Sequence, residues 1–467
     1  MTRTAMQRWA GAVLAAAVLA MGLGGCATPI ERSVPPDLPA DPAASPETQA
    51  RLAEVLDAHL RRDVLAHWFP RCVDEQRGGF HQCFARDWTP QPEPYRFLVY
   101  QARQTWTAAR VMQYDPALAK EYRPYVDHGL AYLRDVMTDS EHGGLYMRVS
   151  TDGQVTKKLG TAKHAYGLSF VIYAGATAFT ATRDEKALAL AMDTFRWFDT
   201  HAHDDAHGGY WEALSREGHP VRTTLQGKGG RDAIGTPLGY KSMNGHIHLL
   251  EAVTALYHAK PDEAVRVRLE ELLAVVRDRI QVPPGALNYY FTPDWRAVPM
   301  HDSFGHDIET AYLMVEASAA LGRPDDPATW RVARAIVDHA LAWGWDSEHG
   351  GFYYSGQAFA GAFERFKSWW TQAEGLNVLL LMHERYGHET DRYWKAFRRQ
   401  LDFIWQHQVD HSCGGWYTRV SEDGTSLVAG PEKGSPWKAA YHNVRALVET
   451  VERLRRLAGQ EETKETE

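Results

Sequence analysis

The chain has 467 residues, 44% of them hydrophobic, enough for one large core or for two or three average domains. Its formal net charge is −8 and no basic stripe runs along it, which argues against a nucleic-acid-binding protein. Sixteen tryptophans are ordinary core residues in part, but such a number also suits a carbohydrate cleft, where flat rings stack on sugar C–H faces.

The first element is a targeting segment, residues 1–25. Arg3 and Arg8 supply a positive start, and "AGAVLAAAVLAMGLGG" is an apolar run too short to span a bilayer comfortably. It ends in "LGGC", which resembles a bacterial lipobox and makes Cys26 the expected lipidated first residue. The expectation is an exported lipoprotein on the periplasmic side, and Ala27 points to the outer membrane. Residues 26–49 are rich in proline and alanine and read as a semi-rigid tether. Cys72 and Cys83 flank Gly78-Gly79 and could close a hairpin disulfide, leaving Cys413 over. No CxxC is present, which argues against a cysteine-rich zinc site.

From residue 50 onward the chain repeats. Gly-Gly followed by a large apolar residue begins at positions 78, 143, 208, 350 and 414. The gaps are near 65 except one of 142, so a sixth copy is due near 280, where "ALNYYFTPDW" stands without paired glycines. Two copies share the hexapeptide Asp-Ser-Glu-His-Gly-Gly, at 139–144 and 346–351. These segments predict short β-hairpins. His142 and His349 are read as scaffold, because Arg77 or Cys413 takes the histidine's place elsewhere.

Each hairpin leads into a long segment apolar nearly all round, such as "KHAYGLSFVIYAGATAF" or "GHDIETAYLMVEASAAL". More amphipathic segments such as "RVARAIVDHALAWGW" precede the hairpins. The predicted unit is outer helix, hairpin, inner helix, six times over. Six helix pairs closing a ring give an all-α (α/α)6 barrel, one domain over residues 50–458, with a charged tail at 459–467.

Every inner segment carries polar or aromatic residues near its start: Arg103; Lys163, His164 and Tyr166; Asn244 and His248; His306 and Glu309; Trp370 and Glu374; His442. Parallel inner helices would bring these ends to one mouth. Gathering three histidines, two acids and an arginine there is costly unless they form a site. Histidines on opposite faces of a carbon next to a carbonyl could remove a proton from one side and deliver one to the other, inverting the centre. Arg103 would stabilise the enediolate oxygen, and Glu309, one turn from His306, would orient that histidine. The cluster "HAHDDAH" (201–207) reads as a solvated turn, and no metal is expected there.

The segments "QARQTW", "KSMNGHIHLLEA", "SFGHDIETAYLMVEA", "KSWWTQAEG" and "WKAAYHN" resemble, in order, the N-acylglucosamine 2-epimerase superfamily, most of all its cellobiose 2-epimerase branch. The resemblance implies His306 and His442 as the acid/base pair, Glu309 as support for His306, His248 in ring opening with Asn244 beside it, and Arg103 as the family arginine. It places sugar-stacking tryptophans at Trp370 and Trp437 and a polar contact at Glu374; Tyr166 joins the substrate-binding set, as does Tyr312, which stands where that branch usually has tryptophan. It implies no metal or organic cofactor. Gly245 replaces a usual threonine, Ala440 a common proline, and loop 222–241 lacks the acidic character of that branch.

The expected activity is sugar 2-epimerisation at the reducing-end aldose of a mono- or disaccharide of cellobiose, mannobiose or N-acylglucosamine type. An aldose–ketose isomerase of mannose/fructose type would use the same enediol. A glycoside hydrolase or lyase on the same barrel needs two opposed carboxylates and leaves the histidines idle. A non-catalytic sugar-binding lipoprotein has no use for opposed proton carriers. The expected partners are a small carbohydrate and the membrane reached through the lipid anchor, with the protein a monomer or dimer.

Overall fold

The computed structural model describes residues 28–29, 38–223 and 230–460. Cys26, most of the tether, part of the 222–241 loop and the end of the tail lie outside the described residues.

Among the described residues, twelve long helices alternate between two layers. The outer ones are α1 (Pro46–His59), α3 (Ala119–Tyr132), α5 (Glu185–Ala202), α7 (Glu263–Val275), α9 (Pro327–Trp343) and α11 (Arg392–Phe403). The inner ones are α2 (Leu98–Tyr114), α4 (Ala165–Thr182), α6 (Met243–Ala259), α8 (Phe304–Ala320), α10 (Trp369–Tyr386) and α12 (Tyr441–Leu457). Each inner helix packs on the next, and α12 returns to α2. That closure makes the (α/α)6 barrel, the architecture expected from the repeat. Burial follows the layers: all but a few side chains of α4 are buried, whereas α5 buries only the stripe through Leu188, Met192, Phe195 and Phe198. The first helix begins at Pro46, capped by the Ser45 hydroxyl, four residues before the expected boundary.

The hairpins are built on an aspartate as much as on glycines. Asp74, Asp139, Asp346 and Asp410 each accept backbone N–H groups two and three residues on. The two glycines that close each turn sit at positive φ, for example +70° and +66° at Gly143 and Gly144, where an L side chain is strained. A buried cation then locks the carboxylate: Arg96 on Asp74, Lys163 on Asp139, Lys241 on Asp204, Lys367 on Asp346 and Lys433 on Asp410. Arg96, Lys163, Lys241 and Lys367 each stand two residues before an inner helix, so this ion pair ties those four hairpins to the helices they feed. Lys163 is therefore a scaffold residue. His142 and His349 stay partly exposed in their turns.

Cys72 and Cys83 are free thiols, so the hairpin disulfide that their spacing would allow is not formed. Cys72 is fully buried and its thiol is pushed up to about 12 by that burial.

Candidate active site

Inner helices running parallel place their N-terminal turns at one end of the barrel. There a cavity of about 410 Å³ is lined by Arg103, Tyr166, Asn244, His248, His306, Glu309, Trp370, Trp437 and His442. Nine of the positions read from the sequence thus meet, drawn from all six inner units. Tyr289, Tyr354, Trp369 and Arg419 complete the wall and were not singled out in the sequence.

The three histidines share one arrangement. Nδ1 of His442 bonds Glu374 Oε1 at 2.7 Å, Nδ1 of His248 bonds Glu251 Oε2 at 3.0 Å, and Nδ1 of His306 meets the Ser303 hydroxyl at 2.7 Å. Each ring is tied from behind at Nδ1, leaving Nε2 for the cavity. The carboxylates fix the Nδ1 proton of His248 and His442, whereas the Ser303 hydroxyl, able to donate or accept, orients His306. Burial pushes His306 down to about 3 and His442 well below the usual imidazole range.

Behind the histidines lies an ion cluster. Arg445 bonds Glu251 and Glu309 and lies 2.6 Å from Glu374. All four side chains are at least 95% buried. Burial alone would raise the Glu251 carboxyl, but Arg445 and His248 hold it down to about 2; burial leaves Glu374 raised. Arg445 is driven well above its ordinary value, against the cost of burial, by Glu374 and its other acidic neighbours. One guanidinium thus fixes three carboxylates, and two of these aim histidines.

This arrangement corrects two expectations. Glu309 bonds Arg445 rather than His306, whose Nδ1 partner is Ser303. Glu374 stands behind His442 and outside the cavity lining, so it orients a histidine rather than contacting sugar. The residue one turn from a histidine that does orient it is Glu251, three positions after His248. Its signal was in the sequence, as was that of Arg445, a charge three residues after His442 in an otherwise apolar run.

Tyr312 does not reach this cavity. It lines a separate one of about 580 Å³ with Arg110, Glu316, Glu449 and Arg456. Two turns along α8 from His306 carry its side chain away from the helix ends that form the mouth. Tyr312→Phe is expected to leave KM and kcat for sugar turnover within about twofold of the parent, measured by steady-state kinetics.

Aromatic rings shape the mouth. Trp370 lies 4.8 Å from the His306 ring and 5.8 Å from that of His442, spanning the two. Its indole packs on Gly305, where any Cβ would collide with it. Trp437, 40% exposed, forms the rim over Phe97 and Tyr166. Arg103 donates to the Tyr166 hydroxyl at 3.0 Å and lies 4.3 Å over the Phe170 ring. Trp437→Ala is expected to raise KM several-fold with a smaller change in kcat, because a rim ring binds ground and transition states alike.

Local packing explains the sequence departures. A Cβ on Gly245 would come within 2.7 Å of Glu212 Oε1, a carboxylate held by Ser242 and Thr236. Ala440 donates its N–H to Gln104 at 3.1 Å, a bond that proline cannot make. In loop 222–241, Asp232 pairs with His164 at 2.9 Å, and His164 accepts from the Tyr166 N–H at the start of α4. That fixes the His164 proton on Nε2, so His164 does not serve as a metal ligand with Asp232 and Glu212. Glu309, Glu374 and His442 also lie together, but the Arg445 guanidinium already pairs with both of those carboxylates. In the 201–207 stretch, His203 is held between Glu271 at 3.0 Å and Asp205 at 2.7 Å.

The family model described as N-acylglucosamine 2-epimerase (GlcNAc 2-epimerase) matches residues 78–446. The cellobiose 2-epimerase of Bacteroides fragilis is 29% identical over 407 residues, covering 85% of this chain and 98% of that one. The D-mannose isomerase of Marinomonas mediterranea is 25% identical over 416 residues, covering 85% and 97%. The solved structure of cellobiose 2-epimerase from Spirochaeta thermophila superposes with a TM-score of 0.77 at 30% identity, covering 88% of this chain and 98% of that one. With its barrel, its cavity of aimed histidines and these relatives, the chain belongs to the N-acylglucosamine 2-epimerase family.

Proposed function

We propose that this chain is a sugar 2-epimerase acting on the reducing-end aldose of a mono- or disaccharide. The observation that carries the reading is the set of three histidines, His248 and His442 buried and His306 half-buried, each tied at Nδ1 on the wall of one cavity. A volume of about 410 Å³ lies in the range of small-molecule sites and accommodates a sugar. His248 takes the anomeric hydroxyl proton as the C1–O5 bond breaks, and returns it to O5. In the open aldose, one of His306 and His442 takes the proton from C2. The C2–H electron pair forms the C1=C2 bond, and the carbonyl pair moves onto O1, giving an enediolate that faces Arg103. The other histidine returns a proton to the opposite face of C2, and the roles exchange in the reverse direction.

Inversion needs one histidine to begin protonated. Three carboxylates, Glu251, Glu309 and Glu374, face two guanidiniums, Arg103 and Arg445, so the cluster has room for one extra proton. The raised carboxyl of Glu374, bonded to His442, supports that pair as its holder. His306, depressed by burial to about 3, is then the neutral base. A base whose pKa is lowered stays active further into acid. The acid limb of kcat/KM is therefore expected below pH 6.5, the value of a free imidazole. An acid limb at or above that pH in a pH–rate profile would overturn the assignment.

The reaction class is tested by incubating glucose, mannose, cellobiose and N-acetylglucosamine in deuterated water and following them by NMR. Deuterium at C2 of an inverted aldose is the expected result. The relative named D-mannose isomerase keeps a second reading in view, in which the enediol is protonated at C1 and a ketose forms. Cleaved glycosidic bonds would sink both.

Export and lipid anchoring through Cys26 are part of the same proposal, supported by the "LGGC" motif and the apolar segment before it. The full-length protein is expected to partition into the detergent phase of a cloud-point separation, and Cys26→Ser to move it to the aqueous phase.

A further inference from the structure

One repeat unit breaks the rule of the other five. In the hairpin after α7, Gln281 pairs with Leu287 as Thr138 pairs with Leu145, which puts Val282 where the other hairpins have their aspartate. Two residues before α8, where Arg96, Lys163, Lys241 and Lys367 stand in other units, the chain has Asp302. The carboxylate has moved to the partner position and the cation is gone.

Asp302 is 2% exposed, and it faces Asp307, 0% exposed, and His339 of α9, 4% exposed. His339 Nδ1 lies 3.7 Å from Asp302 Oδ2 and 3.5 Å from Asp307 Oδ2. Among the described residues, neither carboxylate nor Nδ1 has a well-aligned hydrogen-bond partner; the backbone N–H groups of Ser303 and Leu287 and the facing carboxyl of the pair lie nearby. His339 Nε2 is engaged by the carbonyl of Ala358, which only an N–H can satisfy, so in the neutral ring the lone pair is on Nδ1. Three buried side chains thus turn polar atoms toward one another, and none of those atoms has a well-aligned hydrogen-bond partner.

A shared proton would serve two carboxylate oxygens and leave the imidazole lone pair buried with nothing to accept. Separations of 3.5 and 3.7 Å are too long for a hydrogen bond. They match ligand atoms on a tetrahedral ion, which sit about 2.1 Å from the metal and about 3.4 Å apart. One nitrogen and two carboxylates favour a transition metal over calcium or magnesium, which prefer oxygen alone.

We propose that Asp302, Asp307 and His339 bind one divalent cation of the zinc or manganese class, which replaces the missing lysine of this repeat. The ion joins α8 to α9. It also joins both to the Ser355–Glu364 hairpin, because Asp302 exchanges backbone hydrogen bonds with Gly356 and His339 bonds Ala358. It is structural: the residues that hold it do not line the sugar cavity, and it steadies the helix start that carries Ser303 and His306.

The test takes the purified protein after exhaustive chelation and titrates zinc chloride and manganese chloride separately. The expected result is saturable binding at one ion per chain by calorimetry, with a Tm higher by several degrees. Both are expected to disappear in Asp302→Asn and in His339→Gln, whereas metal held elsewhere, for example at the 201–207 histidines, would survive both. Elemental analysis of untreated protein, expected to find one such metal per chain, serves even if a variant misfolds. The proposal is overturned if neither metal binds at one per chain, or if Asp302→Asn binds as well as the parent. A metal-independent rise in Tm for Asp302→Asn overturns it too, since it identifies a shared proton.

Discussion

Replacing His442 with alanine is expected to lower epimerisation by about 10³-fold or more, within the range that general acid–base groups contribute. The more telling result is isotopic. If His306 and His442 serve opposite faces of C2, His442→Ala still lets His306 exchange the C2 proton of one epimer, and the other epimer stays inert. His306→Ala should show the mirror-image pattern. NMR in deuterated water reads both, with far-UV circular dichroism as a check that the barrel is intact. Equal exchange of both epimers in either variant would refute the two-sided arrangement. The pattern also separates His442 from Glu374, its partner at 2.7 Å. Glu374→Gln keeps a hydrogen-bonding group behind the ring but removes its negative charge, so it should slow both directions without selecting an epimer.

Arg445→Met should be the most destabilising single change near the site. It leaves Glu251, Glu309 and Glu374 buried without their common cation. Removing one partner of a buried ion pair costs about 3–5 kcal/mol, and here three carboxylates lose theirs. Thermal unfolding should show a large drop in Tm, and turnover should vanish because two of these carboxylates hold His248 and His442 in place. Combining Arg445→Met with Glu309→Gln removes one of the stranded charges and should recover part of the loss. Since Glu309 bonds Arg445 and no histidine, this rescue tests the charge balance apart from the aiming of the rings. A double variant no more stable than Arg445→Met would argue against the cluster as described.

The barrel was legible in the sequence because its signal is local and periodic. Paired glycines at positive φ recur near every 65 residues, and helices buried on most sides lack a polar face. Polar residues at the starts of apolar helices were conspicuous for the same reason, which is how Arg103, His248, His306 and His442 stood out. The wiring between them was not legible. Glu309 has the same three-residue spacing from His306 as Glu251 has from His248, yet only Glu251 reaches its histidine. Spacing fixes the helix face, whereas the rotation of each helix about its axis is set by packing against neighbours. Tyr312 shows the same limit along the axis: motif position suggested sugar contact, but the helix rise takes it to another cavity.

The sequence by itself determined the repeat, the two helix layers and the set of residues able to move protons, because each follows from patterns within some 65 residues of chain. Only the tertiary structure decided which acid orients which histidine, and that Arg445 ties its own unit to three others. It alone showed that the deviant repeat leaves Asp302, Asp307 and His339 facing one another. Those contacts join residues up to 194 positions apart, as between Arg445 and Glu251. Their strength depends on burial and charge partners that exist only once the ring has closed.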